Sequence, residues 1–206
     1  MSLATFGQPG GQQRPETLSR TVAAGRLGVH PAHLDKMIRA GMLAVPITTA
    51  SIEALAGRSP LRVLSGELTV LRTDARRASD ASEHVFDGRQ WIGFHVSHTD
   101  QELGETSLRW WRSDPARVLD NELLAVTVAT FPVAVYRITE HKDSMTRPDE
   151  DAPRHHYAGD LLARVTAGMM VTRCDPMPGY LNPLVDQIMA SRISVNSGGP
   201  VGYLEP

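Results

Sequence analysis

Two helix-length segments separated by only three residues, Gly28-Val29-His30, constrain this chain more than any other feature. Ser19 is placed to cap the first segment, offering its oxygen to the free amides of the opening turn. That helix starts at Arg20 and carries Val22, Ala23, Ala24 and Leu27. Adjacent alanines permit close crossing by a neighbouring helix. Gly25 inside it costs about 1 kcal/mol relative to alanine. Gly28 stops the helix, because glycine enters a left-handed turn without steric penalty. Val29 is an apolar plug for the turn, and His30-Pro31 opens a second helix with proline where its missing amide proton is harmless. The second helix runs to Ala40, with Leu34, Met37 and Ile38 on one face and Ala32, His33, Lys36 and Arg39 on the other; Gly41 ends it. Two helices joined so tightly must pack across one another.

The pattern Ala-Ala-x-x-Leu-Gly-Val-x-Pro-x-x-Leu-x-x-x-Ile-Arg-x-Gly-x-Leu, beginning at Ala23, resembles the excisionase and MerR-like helix-turn-helix families. The resemblance covers residues 17–58, one fifth of the chain. It implies a winged arrangement of three short helices: strand 42–45, a turn at Pro46, return strand 47–49, and a third helix over 51–56 with Ile52 and Leu55 facing inward. It also implies that helix 31–40 enters the major groove of double-stranded DNA. Lys36 and Arg39 would then meet phosphates or guanine edges, and His30, Ala32 and His33 would lie along the same surface. Ser19, Arg20 and Arg26 would flank it. Two departures stand out. His30 replaces the usual Ser, Thr or Asn cap, and the wing lacks an Arg-rich hairpin to grip phosphate.

Charge is distributed in keeping with that reading. The whole chain has 206 residues and a net charge of −2. Residues 1–59 carry six basic and three acidic side chains, whereas the remainder carries 15 basic and 20 acidic ones. A basic head on an acidic body directs a polyanion to the head. The single cysteine, Cys174, excludes an intramolecular disulfide framework. No apolar run has the length of a membrane span, and residues 1–16, rich in Gly, Gln and Pro, read as a disordered lead-in without signal-peptide character. The cytoplasm is the expected location.

Beyond the head, residues 59–83 read as a connector in which 68–71 has strand character. Residues 84–206 read as a mostly β or α+β domain, making the chain α+β overall. Its strand signals are Trp91–Val96, then 123–130 and 132–138 bent at Pro132, then 161–165 and 169–172. A short helix is expected within 107–119 and another over 182–190. Residues 141–155 are polar with two prolines and read as a surface loop, and 197–206 as an extended tail. This element order resembles the small barrels of the PUA/ASCH group, which bind nucleic acids or nucleotides.

Four clusters in this part bear chemistry. His95 and His98 lie three apart, which in a strand sends them to opposite faces. Arg109, Trp110 and Arg112 combine guanidinium and indole groups suited to nucleic-acid contact. His155-His156-Tyr157 lies near Asp160, a pairing suited to a catalytic base. Ser197-Gly198-Gly199-Pro200 loosely resembles a phosphate-cradling turn. No motif places a catalytic nucleophile, a metal or a cofactor. The sequence therefore leads to a sequence-specific DNA-binding protein, a transcriptional regulator. One such module spans few base pairs, so a homodimer is expected, with a small-molecule or protein partner at the larger domain. The alternatives are an excisionase-like architectural factor of a mobile element and a nucleic-acid-acting enzyme targeted by its helix-turn-helix.

Overall fold

Ser19 Oγ accepts the Val22 N–H at 3.3 Å and so fixes the start of the first helix, α1 (Arg20–Leu27). The computed structural model describes residues 15–80 and 88–206; most of the expected lead-in lies outside them. Gly28, at φ 62°, closes α1. His30 Nδ1 then accepts the Ala32 N–H at 3.2 Å, opening α2 (Pro31–Arg39) with an imidazole in place of a hydroxyl. A third helix, α3 (Thr49–Ala56), is capped by Thr48, whose Oγ1 accepts the Ser51 N–H at 3.3 Å. Ala23, Ala24, Leu27, Leu34, Met37, Ile52 and Leu55 are all buried between these helices. Val29 packs against that core from the turn.

The expected wing does not form. Residues 42–45 contain no strand, although Met42 and Leu43 are both buried. The Met42 N–H instead donates to the Met37 carbonyl, continuing the C-terminal turn of α2. The return segment Ile47–Thr48 (β2) pairs antiparallel with Thr17–Leu18 (β1), the residues preceding α1. The head is therefore stapled through its own N-terminal side.

The rest of the chain is built on an open six-stranded sheet. Leu68–Thr73 (β3) belongs to it, although it lies in the segment read as a connector. Arg77–Ala78 (β4) and Trp91–Ile92 (β5) form a small separate pair, shorter than the 91–96 strand expected, because Phe94 turns inward and bridges to Ala75. Two helices follow, α4 (Asp100–Ser107) and α5 (Pro115–Asp120). They carry the chain across to Leu123–Val128 (β6), which lies parallel to β3, as a crossover connection permits. Next come Phe131–Met145 (β7), Arg154–Thr166 (β8), Met170–Arg173 (β9), the helix α6 (Asn182–Met189) and Val201–Leu204 (β10).

Among the described residues, the order β10-β3-β6-β7-β8-β9 leaves two free edges. The chain does not close into the small barrel that the element order suggested. Two further expectations change. Residues 141–155 are largely the outer half of the β7–β8 hairpin, paired as far as Met145↔Arg154. The tail returns as the edge strand β10, antiparallel to β3.

Head and sheet share one hydrophobic core. Arg192 Nη1 donates to the last carbonyl of α1, Leu27 O, at 2.9 Å, and Arg58 Nη1 donates to Met189 O at 2.9 Å. The Val96 N–H meets Ala40 O at 3.0 Å. Beside it, Gly41 has φ 73°, and a Cβ there would stand 2.6 Å from Val96 Cγ2, so the end of α2 abuts the sheet half directly.

Candidate nucleic-acid interface

Burial of Leu34 and Met37 fixes the rotation of α2 and turns Ala32, His33 and Arg39 outward, with Lys36 half-buried beside them. The head thus presents the residues expected for DNA contact on one helix face. That face is not isolated from the rest of the chain. Lys36 Nζ lies 3.0 Å from Asp74 Oδ2, and Arg39 Nη2 lies 3.5 Å from Asp74 Oδ1. Asp74 follows β3, and its Oδ1 also accepts the Ala75 N–H at 2.7 Å. Partial burial alone would raise the Asp74 carboxyl. Hydrogen bonds from Lys36 and the Ala75 amide, together with the charges of Lys36 and Arg39, outweigh it and hold the group below its ordinary value.

The flanking residues divide. Arg20 pairs with Asp35 of α2 at 3.0 Å and so lies beside the candidate face. Arg26 is drawn toward α3, its Nη1 3.8 Å from Glu53 Oε1. Ser19 and His30 are engaged as helix caps. The His30 and His33 rings meet edge to face with centroids 6.4 Å apart.

The second basic-aromatic cluster does not offer the surface its sequence suggested. Trp110 is 8% exposed and packs against the His156 ring at 5.3 Å, so its indole is not presented for stacking on a base. Arg112 faces Glu150 and Asp151 at 3.6 and 3.5 Å, and Arg109 lies 3.7 Å from Glu105. These acids lower the appeal of the cluster to phosphate. Trp111 is structural as well, donating from Nε1 to Ser107 O at 2.8 Å.

The histidines also separate. His95 Nδ1 engages Ser97 Oγ at 2.7 Å, whereas His98 is 3% exposed with no hydrogen-bond partner on either ring nitrogen among the described residues. Burial first, and the nearby Arg76 charge second, push His98 down to about 4. His155 meets His141 Nε2 at 3.2 Å and Ser144 Oγ at 2.9 Å, both on the facing strand β7. Asp160 sits opposite Arg137 farther along the hairpin, apart from that cluster. No group of three or more His, Cys, Asp or Glu side chains suited to a metal ion occurs among the described residues.

Sequence reasoning missed Asp74 and Arg72, which the sheet brings to α2. The signal available was slight: a charged Arg72-Thr73-Asp74 step at the end of an apolar strand. No helix among the described residues is long and apolar enough to cross a membrane. No protein-family model, curated protein or solved structure matches the chain.

Proposed function

We propose that this chain is a sequence-specific protein for double-stranded DNA, a transcriptional regulator that reads the major groove with α2. The observation that carries the proposal is the grouping of exposed His33 and Arg39 with half-buried Lys36 along one side of a short helix, with Arg20 alongside. The helix packs against α1, which sets its orientation as a groove-reading element requires. Its two cations already converge on a single carboxylate, a geometry that also suits a phosphate oxygen pair. The excess of basic residues in the head favours approach of a polyanion at this end of the molecule. One helix reads only a few base pairs, so the functional form is a homodimer on paired half-sites.

The test is selection of duplexes from a random pool by the full chain, followed by footprinting. An enriched motif arranged as two half-sites is the expected result. Recovery of an unenriched pool would overturn the proposal.

A further inference from the structure

We infer that the cleft between α2 and the end of β3 is a binding site for a small molecule bearing a phosphate-like anionic group. The cleft has a volume of about 570 Å³, the size of a metabolite pocket. Its walls include His33 and Lys36 of α2, Arg72 of β3, Thr130 of the β6–β7 turn, and Ser194 and Gly199 from the chain before β10.

Four observations bear on what fits there. First, Arg72 has no carboxylate partner among the described residues. Its Nη2 donates only to the carbonyls of Ser197 and Gly199, which orient the guanidinium without neutralising it. Second, among the described residues lining the cleft the one carboxylate is Asp74, already shared between Lys36 and Arg39. Cationic charge therefore exceeds anionic charge along the walls. Third, Thr130 Oγ1 is buried and has no hydrogen-bond partner among the described residues, a cost that a ligand oxygen would remove. Fourth, Thr130 holds φ 81° and the preceding Ala129 φ 51°, conformations rare for a β-branched residue and its neighbour. The Ile193 N–H donates to Thr130 O at 2.8 Å and clamps that turn against the cleft wall. A guanidinium held by carbonyls, an ammonium and a hydroxyl-bearing turn thus line one cleft, a set of groups suited to tetrahedral anionic oxygens.

The inference stands on the cleft alone and does not depend on DNA binding. DNA phosphate carries the same chemistry, so the test separates the two sources. The full chain is titrated with sodium pyrophosphate by calorimetry and by amide chemical shifts, against sodium chloride of equal ionic strength. Saturable binding is expected, with shifts at Thr130 and Gly199. Arg72→Gln should weaken it about tenfold or more, the loss of a charge-assisted contact. Lys36→Gln gives a second reading from the α2 wall of the cleft should Arg72→Gln disturb folding, checked by circular dichroism. Lys142→Gln, on the outer part of β7, should leave binding unchanged. Absence of saturable binding, equal binding by Arg72→Gln and Lys36→Gln, or an equal loss in Lys142→Gln overturns the inference. So does a result in which pyrophosphate fails to bind while Arg72→Gln weakens duplex binding, because the cleft would then be a contact for the DNA backbone.

Discussion

Asp74 and Lys36 form an ion pair with Nζ 3.0 Å from Oδ2, and that pair ties the candidate recognition helix to the end of β3. Arg39 shares the same carboxylate at 3.5 Å. Under the proposed function, DNA phosphate and Asp74 compete for these two cations. Asp74→Asn should therefore raise affinity for duplex DNA about fivefold, the equivalent of a partly exposed ion pair worth up to about 1 kcal/mol. The dependence of affinity on salt should persist. Fluorescence anisotropy of labelled duplex reads both quantities, and a fall in affinity would show that Asp74 positions the cations for DNA instead of competing for them.

His98 gives the fold a defined acid response. Its folded value lies near 4, below the ordinary 6.5, so between those values the unfolded chain binds a proton that the folded chain does not. Stability from this site is complete above pH 6.5 and falls as the pH drops toward 4, by up to about 3 kcal/mol. His98→Leu should flatten that part of the urea-derived stability profile. At neutral pH the substitution should cost less than about 1 kcal/mol, because neither ring nitrogen has a partner to lose among the described residues. An unchanged profile in the variant would assign the acid response to other groups.

Arg192 links the two halves. It donates to Leu27 O at 2.9 Å, and its guanidinium stands 5.2 Å from the Phe131 ring centroid. Arg192→Ala should lower unfolding stability by about 1–3 kcal/mol. All three tryptophans, Trp91, Trp110 and Trp111, lie in the sheet half, so their fluorescence follows that half alone. Because the core is shared, fluorescence and helical circular dichroism should report one coincident urea transition for the parent chain. Separate transitions would show that head and sheet fold independently.

Arg117 should govern the exposed edge. It ion-pairs with Glu67 and Glu205 and stacks 3.9 Å over the Tyr203 ring, fastening β10 to its neighbours. Arg117→Ala should speed amide exchange at 201–204 more than at β6, as read by hydrogen exchange. Uniform acceleration across the sheet would indicate global destabilisation instead.

What the sequence made legible was local. Ser19, Gly28 and Pro31 act within a turn of their own positions, and the boundaries of α1 and α2 follow from them. The missing wing was hidden because Met42 and Leu43 are equally apolar, and the true partner of Ile47–Thr48 lies some thirty residues earlier at Thr17–Leu18. The outer β7–β8 hairpin read as a loop because many of its side chains are exposed, which erases the alternation that marks a half-buried strand. In the candidate site, the outward residues of α2 were readable from helical spacing. Asp74, 35 positions after Arg39, was not, since its place beside α2 depends on how β3 enters the sheet.

The most direct measurement is duplex binding by the parent chain and by Lys36→Ala/Arg39→Ala, on the selected sequence, at two salt concentrations. The proposed function predicts at least about a tenfold loss of affinity in the double variant and a salt slope shallower by about two phosphate contacts. Equal affinity and an unchanged slope would contradict the assignment of α2 as the helix that reads DNA.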